Sequence, residues 1–255
     1  MAKGTITVNP KLALMRKLCA KVAPAFRRQF GEMARIQANP VHGPKLFDDT
    51  RNGIISILKE ELSATGTPLV IDAEKVTLPE TCWLIEPLAG RRNFLHARQP
   101  VSVHFAYIEN GSVLMGGVFF PAEDLLVHVA PGAGVMGPDR LRVAGRADVA
   151  HTMAMLPWKT ADVVAMKLME KLDAVEAHTR KTGHTLFDVI EVAAGRADVS
   201  IATRTTPLEA LLANLLLAES AGVATDMQGA PLSTESTGIV AGNLKTQAKF
   251  LDLIK

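Results

Sequence analysis

The run Thr81-Cys-Trp-Leu-Ile-Glu-Pro-Leu-Ala-Gly-Arg-Arg-Asn-Phe94 constrains the chain most, because an apolar strand there enters a turn that carries one carboxylate and two guanidiniums. Trp83, Leu84 and Ile85 have the pattern of a short buried strand, and Pro87 and Gly90 punctuate its exit. A turn of this kind aims backbone N–H groups in one direction, and arginines beside it suit an anion. The same residues also suit an ordinary strand end with solvated arginines, and the local pattern leaves both readings open.

The flanking segments organise around this strand. Leu12, Met15, Leu18, Cys19, Val22 and Phe26 recur at helical spacing between Pro10 and about Gln29, with basic residues on the other faces. Asn39 to Pro44 reads as a break, and Gly43 to Asp49 as a connection into a second helix containing Ile54, Leu58 and Leu62. Pro100 to Gly111 and Ser112 to Phe120 are two β patterns joined by Asn110-Gly111, a hairpin signal. Strands joined by short turns over residues 1–146 predict an antiparallel sheet with helices on one face. From 147 to 255 helical and strand patterns alternate, which predicts an α/β layer. The helix Leu208–Ser220 is apolar nearly all round, so it is expected in the middle of the molecule.

With 255 residues, 48% of them hydrophobic, the chain buries a large core, as one big domain or two closely joined ones. The net charge of +2, from 28 basic and 26 acidic residues, excludes a bulk electrostatic drive toward nucleic acid or membrane. Cys19 and Cys82 lie in apolar segments without metal-ligand spacing and are expected as buried free thiols. No apolar run is long enough to cross a membrane and the first residues lack a secretory pattern, so a cytoplasmic location is expected. His42, His96, His104, His128, His151, His178 and His184 show no paired spacing for zinc and read as surface or strand histidines. Ser63, Ser102 and Ser112 lie in no nucleophile-elbow context.

Trp83 to Phe94 resembles the signature of the inositol monophosphatase family, W-I-[IV]-D-P-[LV]-D-G-T-T-N-F, with its spacing unbroken. Glu219 to Gly229 resembles the family's E-A-G-G-x-x-T-D-x-x-G, and Thr237 to Asn243 its G-x-I-V-A-A-N. The resemblance implies an α+β fold, a layered α-β-α-β-α sandwich. It also implies Mg²⁺-dependent hydrolysis of phosphate monoesters such as inositol monophosphate, by attack of a metal-activated water. On the family pattern Glu86 takes the first metal-binding aspartate, Ala89 the second, and Asp49 the final aspartate of D-x-V-T-x-x-D. Gly90 is retained, while Arg91 and Arg92 replace two threonines, the first of which serves the attacking water. Aligned by the preceding apolar residues, Ala73 falls on a ligand glutamate and Glu74 on its neighbour; a one-residue slip brings Asp72 or Glu74 to the site. Counting from Asp198 and from Glu219 places Glu209 on the third metal aspartate. Gly183 falls on a pocket glycine, and Ala202 on a glutamate that contacts inositol hydroxyls.

These correspondences imply metal ligands at Glu86, Glu209 and Glu74, no intact catalytic group, and a phosphate site at Gly90, Arg91, Arg92 and Gly183. Metal-dependent hydrolysis is expected to be weak or lost, with the pocket binding an anion or closed by an Arg–Glu86 salt bridge. The alternative is a non-catalytic protein like the SuhB-like extragenic-suppressor branch, regulatory or binding an anion or RNA. A homodimer, a phosphate-containing small molecule and a transcription-related protein or RNA are the partners implied.

Overall fold

The computed structural model describes residues 9–36, 39–72, 78–157 and 163–254, so Ala73 and Glu74 lie outside the described residues. Two long helices come first, α1 (Pro10–Arg35) and α2 (His42–Ser63). Asn9 caps α1 by accepting the Lys11 N–H through Oδ1 at 2.9 Å, and Pro10 occupies the first turn, where no N–H is needed. The helix runs beyond Gln29 because its apolar face continues to the buried Met33. The second helix starts inside the stretch expected to break the chain. Pro44 falls in its first turn, where a missing N–H costs nothing, and Asn39 Oδ1 receives the Val41 and His42 N–H groups at 2.9 and 3.0 Å. Residues 43–49 are therefore helix and not a connection, which places Asp48 and Arg51 on a rigid element.

A seven-stranded sheet follows in sequential order: β1 (Leu69–Ile71), β2 (Cys82–Ala89), β3 (Ser102–Glu109), β4 (Ser112–Phe120), β5 (Leu125–Ala130), β6 (Gly134–Met136) and β7 (Arg140–Leu141). The short helix α3 (Arg91–Leu95) separates β2 from β3. The five pairings from β2 to β7 are antiparallel, and β1 joins β2 at the edge in parallel. Asn110 and Gly111 both have positive φ, 50° and 72°, as the expected hairpin turn requires.

The remaining elements are β8 (Met153–Met155), α4 (Val163–Ala174), β9 (His178–Arg180), α5 (Thr185–Ala193), β10 (Val199–Ala202), α6 (Pro207–Glu219), β11 (Val223–Thr225), β12 (Ile239–Gly242) and α7 (Leu244–Ile254). Their strands form a second, mixed sheet in the order β11-β12-β10-β8-β9.

The period of two along each strand decides the layering. Trp83 and Ile85 of β2, Phe105 and Tyr107 of β3 and Phe119 of β4 pack against α1 and α2. The alternate residues, Leu84, Ala106, Ile108 and Val118, face α5 and α6. The far face of the second sheet, with Val199, Ile201 and Val240, packs on Leu168, Leu172 and Phe250 of α4 and α7. The result is an α+β sandwich layered α-β-α-β-α, with α6 in the centre, as its all-round apolarity predicts.

Candidate functional site

The exit of β2 and the entry of α5 meet in one cleft. Gly90 stands at φ 90° before α3, and a Cβ there would lie 2.7 Å from the Pro100 carbonyl oxygen, so a side chain is excluded. Asn93 fastens this turn to the approach of α5 by donating from Nδ2 to the Pro100 carbonyl at 2.9 Å and the Thr182 carbonyl at 3.0 Å. Gly90, Arg91, Arg92 and Gly183 consequently line one cavity of about 360 Å³. Glu86, Ala89 and Glu209 line it too, so residues from three separate segments come together. Ala202 is buried in the core layer beneath.

An adjoining cavity of about 440 Å³ shares Glu86, Leu88, Arg91 and Thr206 with the first and extends to Asp48, Arg51 and Asp72. Arg91 bridges the two by donating to Asp48 Oδ1 of α2 at 2.9 Å, while its guanidinium carbon lies 4.5 Å from the Phe47 ring centroid. Arg51 pairs with Asp72, whose N–H reaches the Ile85 carbonyl. Asp72, one of the carboxylates that the soft register left open, lines this adjoining cavity.

Each glutamate in the cleft has a backbone contact. Glu86 Oε1 accepts the Leu88 N–H at 3.2 Å. Glu209 completes a capping box with Thr206: its Oε2 accepts the Thr206 N–H at 3.0 Å and the Thr205 hydroxyl at 3.3 Å, while its own N–H donates to Thr206 Oγ1. Mg²⁺ takes hard oxygen donors at about 2.0–2.1 Å in near-octahedral geometry. Ala89 supplies no donor and Glu209 is turned to the start of α6. Among the described residues no three His, Cys, Asp or Glu side chains are grouped to hold a metal ion. The described side chains do not fit the family's metal cluster.

The sequence pattern missed a buried polar chain beneath the cavity. Ser102 Oγ lies 2.7 Å from His104 Nε2 and 2.8 Å from His184 Nε2, and both histidines line the cavity. All three side chains are buried, and His104 is the cross-strand partner of Glu86. Ser102 and His104 alternate on one face of β3, but His184 comes from far along the chain, so no local spacing reveals the group. Below α5, Asp188 Oδ1 accepts the Thr182 hydroxyl at 2.6 Å. Burial pushes its carboxyl up to about 8, with Thr182 opposing, so it carries a proton at neutral pH.

Comparison with known proteins places this geometry. An inositol-1-monophosphatase of Mesorhizobium japonicum is 28% identical over 255 residues, 96% of each chain. The Nus factor SuhB of Xylella fastidiosa is 30% identical over 174 residues, covering 64% of this chain and 63% of that protein. The structure of the extragenic suppressor protein SuhB from Bartonella henselae superposes with a TM-score of 0.82 at 20% identity, over 96% of this chain and 99% of the other. The Thermotoga maritima IMPase structure has a TM-score of 0.79 at 20% identity, over 96% and 97%. The family model described as "Inositol monophosphatase family" matches residues 50–254, and the chain belongs to that family.

Proposed function

We propose that this protein holds the phosphate group of a small-molecule monoester in the cleft between the Gly90–Arg92 turn and the start of α5, and that metal-dependent hydrolysis is weak or lost. The observation that carries this reading is the use of the Glu209 carboxylate in the α6 capping box, beside an alanine at position 89. With two carboxylate positions changed in this way, the electrostatic work falls to guanidiniums, which bind phosphate oxygens by paired hydrogen bonds. Gly90, Arg91, Arg92 and Gly183 are the proposed phosphate contacts.

The test is turnover of inositol 1-phosphate and of an aryl phosphate with Mg²⁺ and with chelator, beside an Ala89→Asp/Arg91→Thr double variant. No chelator-sensitive turnover in the natural protein, with phosphate binding retained, is the expected result. Chelator-sensitive turnover at rates typical of enzymes would overturn it. A second reading draws on relatives named as Nus factors: a homodimeric, transcription-related protein that uses this fold to meet a protein or RNA partner. Retention of RNA or transcription proteins by the immobilised chain, abolished by changes outside the cleft, would favour that reading.

A further inference from the structure

The strip that joins β9 to α5 is a thin wall between two cavities. Gly183, His184 and Thr185 line the 360 Å³ cavity on one side, while Thr182 lines a cavity of about 1080 Å³ on the other, together with Asn93 and Pro100. Gly183 has φ 72°, and a Cβ built there would meet nothing nearer than Asn93 Oδ1 at 3.9 Å. With open space on both faces, close packing does not fix the position of this peptide. Hydrogen bonds must do so instead.

Those bonds converge on Thr182. Its carbonyl accepts Asn93 Nδ2 at 3.0 Å, and the same nitrogen donates to the Pro100 carbonyl over which Gly90 passes. Its hydroxyl donates to Asp188 Oδ1 at 2.6 Å and accepts the His184 N–H at 3.2 Å. A hydroxyl can fill both roles at once, which no apolar side chain of the same shape can. Asp188 is fully buried, and its other oxygen, Oδ2, has no hydrogen-bond partner among the described residues. An apolar side chain would serve packing better at position 188, and what the carboxyl adds is a fixed acceptor for Thr182. One residue therefore ties together the turn that carries Arg91 and Arg92, the wall opposite it, and the first turn of α5.

We infer that Thr182 is the positioning residue of the anion site: anchored on Asp188 and held by Asn93, it sets the separation between the Gly183–Thr185 wall and the Gly90–Arg92 turn. Thr182 does not line the 360 Å³ cavity and acts through Gly183, its neighbour in the chain. An oxyanion bridging the two walls depends on that separation, because hydrogen bonds weaken steeply outside a narrow range of distance and angle. The inference rests on the phosphate-site reading above and adds to it the residue that sets the width of the site.

Sulfate is the probe, because it stays doubly charged at neutral pH. Calorimetric titration with chelator present measures affinity, and unfolding midpoints are taken on the same samples. Thr182→Val keeps the shape and removes both hydroxyl bonds; sulfate affinity should fall by about tenfold, the value of one buried hydrogen bond. Thr182→Ser should bind close to the natural protein, whatever its unfolding midpoint. Asp188→Leu should reproduce the loss, and the Thr182→Val/Asp188→Leu double variant should lose no more than Thr182→Val alone, since the two side chains act as one unit. Amide ¹H–¹⁵N shifts of the natural protein provide a measurement independent of any variant: sulfate should move the signals of Gly183 and Thr185 together with those of Gly90 and Arg91. Natural affinity in Thr182→Val, a serine variant as weak as the valine one, additive losses in the double variant, or shifts confined to the Gly90–Arg92 turn would each overturn this inference and leave the anion site standing. No sulfate binding by the natural protein overturns both.

Discussion

The Glu209 carboxylate accepts the backbone N–H of Thr206 at 3.0 Å, so the acid that the family pattern assigns to a metal begins a helix here. The cap engages one oxygen of this carboxylate, Oε2, and fixes its orientation at the start of α6. Glu209→Ala should lower stability by about 0.5–2 kcal/mol, the usual value of a cap, and Glu209→Gln by less, because its amide oxygen still accepts. Urea denaturation of the two variants measures the difference; equal losses would rule out the cap as the main role.

Gly90 permits the close passage of the turn over Pro100. Gly90→Ala forces a side chain into left-handed backbone, which alone costs about 1–2 kcal/mol, and sets its Cβ against a carbonyl oxygen at 2.7 Å. Reduced thermal stability and loss of sulfate binding should appear together in this variant.

Arg91 and Asp48 form an exposed ion pair, with side chains 46% and 60% accessible. Such pairs contribute less than about 1 kcal/mol. Asp48→Asn should therefore leave the unfolding midpoint nearly unchanged, yet tighten sulfate binding severalfold by releasing the guanidinium, which remains braced on Phe47. Weaker binding in this variant would show that Asp48 orients Arg91 for the anion.

Asp188 makes stability depend on pH. Burial raises its carboxyl from 3.8 to about 8 in the folded chain, so the folded state holds a proton that the unfolded state gives up more easily. The stability present at acid pH is lost as pH rises through about 8, by up to about 1.4 kcal/mol per unit between the two values. Asp188→Asn, close in shape to the protonated acid, should flatten that slope and be more stable than the natural protein at pH 8. Denaturation midpoints from pH 5 to 9 provide the comparison.

Cys19 is buried against α2 and the first sheet, and burial pushes its thiol up to about 12. Since the thiolate is the reactive form, iodoacetamide at pH 8 should leave Cys19 unmodified in the folded protein and label it in denaturant. Mass spectrometry reads the outcome directly; labelling of the native chain would mean that α1 opens readily.

What the sequence by itself determined is local or periodic. Alternation along β2, β3 and β4 specified which residues face which layer, Asn110-Gly111 specified the hairpin, and the apolarity of α6 specified its central position. The unbroken spacing from Trp83 to Phe94 identified the turn. The break between the first two helices lies where Asn39-Pro40 signals it, but it ends at His42 and not at Pro44, because proline is at home in a first helical turn. Tertiary structure alone decided which partners several of the cleft residues meet. Arg91 meets Asp48 across 43 positions and Ser102 meets His184 across 82, distances over which no period carries information. The Glu209 cap, by contrast, is local: Thr206-Pro-Leu-Glu209 has the spacing of a capping box, a signal the sequence carried and the family correspondence overshadowed.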